Sequence, residues 1–132
     1  MIVDTSALMT ILKREEGWEI FSRSLEASHQ TSMSAATYFE GSILVDRWKS
    51  GVLSRRYDEL IDEAHIAVEP LTAEQARIAR QAYRDYGKGS GHPAQLNFGD
   101  CFSYALARDK REPILFKGDD FNHTDLRSAL NE

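Results

Sequence analysis

The chain has 132 residues, 42% hydrophobic and 28% charged, which is the make-up of one soluble globular domain able to bury a substantial core. Its 16 basic and 21 acidic side chains give a net charge of −5, which argues against a broad basic nucleic-acid surface, and no apolar run nears the roughly 18 residues of a membrane span. A single cysteine, Cys101, excludes an internal disulfide framework and suits a reducing cytoplasm. Ile2 and Val3 open the fold at once, so no secretory leader is expected.

In chain order, Met1-Ile2-Val3-Asp4 predicts a short buried strand ending at Asp4, then a turn over Thr5 and Ser6 and a helix from near Ala7. Trp18, Phe21 and Leu25 recur at helical spacing and predict a helix near 17–27. Residues 29–33 form a weaker strand candidate, followed by Ser34 as an N-cap. The helical pattern after it runs to about Lys49 and is broken only by Gly41, which costs about 1 kcal/mol relative to alanine. Beyond Gly51, Leu53, Tyr57, Leu60, Ile61 and Ala64 mark the clearest amphipathic helix. Ile66-Ala67-Val68 reads as a short buried strand ended by Pro70. Thr72 and Gln75 have capping-box spacing, and the helix they open carries Ala76, Ala79, Tyr83 and Tyr86 on one face. Residues 87–93 are an exposed glycine-rich loop, and a helix is expected over 98–108. Pro113 introduces a last strand over 114–116, followed by a turn over 117–120 and a terminal helix from near Thr124.

Strands alternating with helices imply βαβ units. The expected architecture is a three-layer α/β/α sandwich with a short, mainly parallel central sheet, formed by residues 1–132 as a single domain. In such sheets ligands gather beyond the carboxyl ends of the strands. Four acids occupy comparable places there: Asp4 after the first strand, Glu40 under two turns into the helix after the second, Asp100 in the first turn of a later helix, and Asp119 beyond the fourth strand.

Carboxylates held close together are unfavourable unless protons or cations bind them. Oxygen donors without a Cys/His cluster favour Mg²⁺ or Mn²⁺ over zinc. Such an ion can make water nucleophilic near neutral pH and stabilise a pentacoordinate phosphate, so the constellation suits phosphodiester hydrolysis. Each acid also has an ordinary structural use: Asp4 as a helix cap, Asp100 against a helix dipole, Glu40 as a solvated helix residue, Asp119 and Asp120 as turn formers. Their joint appearance at matching ends of the βαβ units favours a site.

Four stretches, taken together, resemble the PIN-domain family and, within it, the VapC-type toxins of bacterial toxin–antitoxin pairs. These are Met1-Ile2-Val3-Asp4-Thr5-Ser6-Ala7, Thr37-Tyr38-Phe39-Glu40, His92 to Cys101 with Tyr104-Ala105-Leu106-Ala107, and Ile114 to Phe121 with Thr124-Asp125-Leu126. The resemblance spans essentially the whole chain. It implies a Mg²⁺-dependent (or Mn²⁺-dependent) endoribonuclease acting on structured RNA such as tRNA or rRNA, a homodimer, and a VapB-type antitoxin that covers the site. The family's acids carry over to Asp4, Glu40, Asp100 and Asp119, with Asp4 and Asp100 as direct metal ligands. Asp119 is preferred over the adjacent Asp120, which precedes Phe121 and can fix the turn.

The remaining polar residues read as less specific. His29, His65, His92 and His123 are scattered and suit a surface role, and Cys101 reads as a small buried residue. Trp18 and Trp48 read as packing residues, in the core or against a second subunit. Lys88, Lys117, Arg77, Arg80 and Arg84 are candidates for phosphate contacts, or else a solvated face. The competing function is a phosphoacceptor signalling domain with an acidic Mg²⁺ site. It needs an acidic pair at the end of the first strand, where Thr5 and Ser6 stand instead.

Overall fold

The computed structural model describes residues 1–48 and 51–131. Four short strands, β1 (Ile2–Val3), β2 (Thr31–Ser34), β3 (Ile66–Glu69) and β4 (Ile114–Leu115), form a sheet of order β3-β2-β1-β4, with every neighbouring pair parallel. Between them run α1 (Thr5–Leu12), α2 (Trp18–Ala27), α3 (Ala35–Asp46), α4 (Val52–Glu63), α5 (Ala73–Tyr86) and α6 (Phe98–Lys110). The chain steps outward from β1 through β2 to β3, then returns to the far side of β1 as β4. The strand order therefore reverses between β1 and β4, which is where open α/β sheets form their binding crevice.

Successive strand residues point to opposite faces, and the neighbouring strands β1 and β4 use this to join two cores. Ile2 and Ile114 pack with Ala82, Leu96 and Leu106 beneath α5 and α6. Val3 and Leu115 pack with Leu8, Phe21, Met33 and Ile61 against α1, α2 and α4. This is the expected three-layer α/β/α arrangement.

Several boundaries differ from the sequence reading. Helix α1 begins at Thr5 rather than Ala7, because Asp4 itself is the N-cap and accepts the Ser6 N–H at 3.1 Å. Helix α3 ends at Asp46, earlier than the expected run to about Lys49: Arg47 is its C-cap and Trp48 lies beyond the helix, and Lys49 is outside the described residues. Strand β3 is an edge strand, so Ile66 is buried while Ala67 and Val68 are exposed rather than enclosed. The buried side of α5 is Gln75, Ala79 and Ala82, whereas Ala76 and Tyr83 face solvent. The Thr72 hydroxyl does cap this helix, but Gln75 turns its amide to Asp109 at 3.0 Å instead of closing the box. No helix starts at Thr124. Short 3₁₀ turns occupy Asp120–His123 and Ala129–Asn131, because the stretch between them lies extended beside β4, with Ile114 N–H bonded to Arg127 O at 3.0 Å.

Gly41 is a packing requirement rather than a helix defect. A Cβ there would collide with the buried ring of Tyr57, whose hydroxyl donates to Tyr38 O at 3.0 Å. Helix propensity alone predicts that Gly41→Ala stabilises the protein by about 1 kcal/mol. The crowding predicts the opposite sign, a loss of about 1–3 kcal/mol, read by thermal or denaturant unfolding.

Candidate active site

Asp4 lies directly after β1 at the strand-order reversal, 5% exposed. Its backbone N–H donates to Leu115 O at 3.0 Å, which fixes its depth against β4. One carboxylate oxygen, Oδ2, accepts from the Ser6 hydroxyl at 2.7 Å and the Ser6 N–H at 3.1 Å. The other, Oδ1, accepts from the Ser103 hydroxyl at 2.6 Å. Ser6 is itself tied to the closing turn, since Lys117 N–H donates to its Oγ at 3.0 Å.

Helices α3 and α6 flank Asp4, and each presents a hydroxyl and an acid three residues apart. On α3 these are Thr37 and Glu40; on α6, Ser103 and Asp100. Side chains at i and i+3 share a helix face, so in both cases the hydroxyl sits one turn deeper and the acid at the rim. Thr37 and Ser103 are fully buried and their hydroxyl oxygens are 3.2 Å apart. Glu40 and Asp100 are half-buried.

Asp100 is held by a capping box: its Oδ2 accepts the Asn97 N–H at 3.0 Å, and Asn97 Oδ1 accepts the Asp100 N–H at 2.9 Å. Burial pushes its carboxyl up to about 6, with further upward pressure from the charges of Asp4, Asp120 and Glu40; the Asn97 bond opposes this. Burial, then the Asp4 charge, also raises Glu40 above the ordinary carboxyl range, against a hydrogen bond from Thr5. Gly99 provides the space for that carboxylate, because a Cβ on Gly99 would fall on the Glu40 carboxylate oxygens. Sequence reasoning missed Gly99, Thr37 and Ser103 as site residues. The available signal was a hydroxyl three residues from each helical acid.

The fourth expected acid is placed differently. The Asp119 carboxylate is exposed and turned to its own neighbours, accepting from Asn122 at 3.0 Å and lying 2.7 Å from His123 Nε2. The Asn122 and His123 hydrogen bonds hold it below the ordinary carboxylate range. It is Asp120 whose charge reaches Asp100. The structure therefore brings Asp4, Glu40 and Asp100 together with Asp120 nearby, and directs Asp119 elsewhere.

Among the described residues no three His, Cys, Asp or Glu side chains form a ready-made chelating group. The residues present nevertheless fit a hard cation. All the donors are oxygens, two of the carboxyls are raised by burial and mutual charge, and no ion pair among the described residues engages Asp4, Glu40 or Asp100. A divalent ion would supply the missing countercharge. The other candidates are exposed or otherwise engaged. Arg77 pairs with Glu74 at 3.3 Å, Lys117 Nζ donates to Glu16 O at 3.0 Å, and Arg80, Arg84 and Lys88 are exposed. His92 is packed edge-on to Tyr86, and Cys101 is buried with its thiol pushed up to about 11 by that burial. Trp18 is half-buried under the Arg14 guanidinium, and Trp48 is exposed beneath Lys13.

The description of the PIN domain matches residues 1–126. Ribonuclease VapC28 of Mycobacterium tuberculosis is 53% identical over 131 residues, covering 99% of this chain and 98% of that protein. Ribonuclease VapC42 of the same species is 52% identical over 129 residues, covering 98% of each. Among solved structures, M. tuberculosis VapC20, described as a sarcin-ricin loop cleaving toxin, superposes with a TM-score of 0.72 at 17% identity over 95% of both chains. FitAcB from Neisseria gonorrhoeae gives 0.70 at 19% identity over 96% of this chain and 94% of that one. At such identities the last two speak for the fold.

A carboxyl raised to about 6 in the folded state holds its proton more tightly than in the unfolded chain, where 3.8 is ordinary. Its contribution to stability is therefore fully present below about pH 4 and is lost as pH rises through 6. Asp100→Asn should raise the melting temperature of the metal-free protein at pH 7.5 and leave it nearly unchanged at pH 4, measured by differential scanning calorimetry.

Proposed function

The chain belongs to the PIN-domain family, among its VapC-type toxins, and from that premise we propose that it is a Mg²⁺- or Mn²⁺-dependent endoribonuclease, the toxin of a toxin–antitoxin pair, restrained by a VapB-type antitoxin. Full-length similarity to proteins named ribonucleases supports the activity. The observation that carries the site assignment is the buried, fully hydrogen-bonded Asp4 carboxylate facing two acids, Glu40 and Asp100, whose carboxyls are raised by burial and then by their mutual charge. The proposal includes a homodimer and a structured RNA substrate, tRNA or rRNA, both of which rest on family membership.

Asp4 and Asp100 are the side chains that would hold the ion. When bound, it supplies positive charge for the scissile phosphate and lowers the pKa of water. Asp4 offers a carboxylate whose orientation is set by three donors before any substrate arrives. Glu40, raised above the usual carboxyl range, is suited to take the proton from the attacking water. In-line attack at phosphorus with departure of the 3′ oxygen leaves 5′-phosphate and 3′-hydroxyl ends. We assign the fourth acid to Asp120 rather than Asp119, because its charge reaches Asp100 while Asp119 is occupied by Asn122 and His123.

The direct test is incubation of the isolated protein with total RNA, with and without Mg²⁺, followed by mapping of the cut ends. Asp4→Asn should abolish Mg²⁺-dependent cleavage in a protein that keeps its circular-dichroism spectrum, and cleavage surviving in that variant would refute the assignment. Asp120→Asn should slow cleavage at least tenfold more than Asp119→Asn; the reverse ranking would restore Asp119. A separate prediction concerns Gly99→Ala, which changes no charge yet displaces the Glu40 carboxylate. Its cleavage rate should fall to that of Glu40→Gln, and the two substitutions combined should cost little more than either alone.

A further inference from the structure

Behind Asp4 lies a hydroxyl chain that the cleavage chemistry does not itself use. Ser103 Oγ is 2.6 Å from Asp4 Oδ1, and Thr37 Oγ1 is 3.2 Å from Ser103 Oγ; both serine and threonine are fully buried. The direction of these bonds follows from proton counting. An ionised carboxylate only accepts, so Ser103 spends its single hydroxyl proton on Asp4. The Ser103 oxygen must then accept, and the Thr37 hydroxyl is the donor. Thr37 is held in turn by its neighbours, its carbonyl accepting from the Thr5 hydroxyl at 3.4 Å.

We propose that Ser103, oriented by Thr37, is a positioning residue for Asp4, directing one carboxylate oxygen inward so that the group is set for a divalent cation at the site mouth. Three features support it. The Thr37–Ser103 contact links α3 directly to α6, and Ser103 in turn binds Asp4, so the helices that carry Glu40 and Asp100 are both tied to that carboxylate. The Ser103 bond is charge-assisted and lies out of water, where such bonds orient most strongly. The two oxygens of Asp4 are also served from different elements, Oδ2 by Ser6 on its own helix and Oδ1 by Ser103 almost a hundred residues away. Removal of Ser103 leaves Oδ1 buried without its donor, free to rotate away from the ion. Outer partners of this kind commonly alter metal affinity by about 10–100-fold.

This inference rests on the metal-dependent reading of the site, and the experiment separates the two. Mn²⁺ is titrated into the full chain by isothermal calorimetry, with melting temperatures recorded alongside, for wild type, Ser103→Ala and Thr37→Val. The expected result is a Mn²⁺ dissociation constant about tenfold weaker in Ser103→Ala, with kcat for RNA cleavage reduced and KM unchanged. Thr37→Val, nearly isosteric, should shift Mn²⁺ affinity in the same direction by a smaller factor, because Ser103 keeps its bond to Asp4 but loses its own anchor. Wild-type Mn²⁺ affinity in both folded variants overturns the proposal. So does a lowered melting temperature with unaltered Mn²⁺ affinity, which marks the hydroxyls as packing groups. Absence of Mn²⁺ binding by the wild type overturns the metal-dependent reading itself, and this inference with it.

Discussion

The arrangement depends on keeping one carboxylate, that of Asp4, buried and aimed. A carboxylate removed from water without partners is costly, and here three donors replace its hydration. Those donors come from α1 and α6, and the depth of the residue is set by the β1–β4 pairing. Strand β1 is only two residues long, but it is central, with β2 and β4 on either side. A side chain leaving its carboxyl end is thereby surrounded by the starts of helices rather than by solvent.

The other acids are added to this fixed point at an electrostatic cost that the fold meets unevenly. Asp4 caps α1 and Asp100 sits in the first turn of α6, so both face positive helix ends. Glu40 lies mid-helix without that help, and its carboxyl is raised by burial and by Asp4. It reaches the pocket only because residue 99 has no side chain to obstruct it. The destabilisation is local, while the two apolar layers on either side of the sheet hold the scaffold. Carboxyls raised by burial and like charge in an otherwise well-packed α/β sandwich mark a candidate functional site rather than a stabilising network.

Much of this was legible in the sequence, because it is written in local chemistry. Ser34 and Thr72 announce helix starts by their hydroxyls, and each caps the helix expected of it. Tyr57 and Ile61 announce the buried face of α4 by their spacing. What was not legible depends on neighbours far along the chain. The exposure of Val68 follows from β3 being an edge strand, and strand order is not encoded in any one segment. Gly41 looked like a weak point because Tyr57, sixteen residues later, was not known to lie across it. The orientation of the Asp119 carboxylate depends on Asn122 and His123 in a 3₁₀ segment over 120–123, where the sequence reading expected no helical turn. Ser103 and Thr37 were not read as site residues because small hydroxyl residues within helices are ordinarily neutral fillers.

Capping and chemistry therefore cease to be rival explanations for the same residue. Asp4 caps α1, Asp100 closes a capping box on α6, and both are also the acids proposed to hold an ion. A capping carboxylate is held at a known angle to the helix axis by backbone N–H groups, which cannot swing away as a side chain could. The capping bond on Asp100 takes one oxygen, Oδ2, and Asp4 has one oxygen served by its own helix start and the other from across the site. Using helix N-termini to fix the acids gives pre-organisation without extra residues, and it explains why a chain this short can place them with so little loop. The ordinary structural readings of Asp4, Asp100 and Asp119 as caps and a turn former hold in the structure, while Glu40 is half-buried rather than a solvated helix residue. For Asp4 and Asp100, the bonds that cap the helices are the same bonds that fix the direction of the carboxylates.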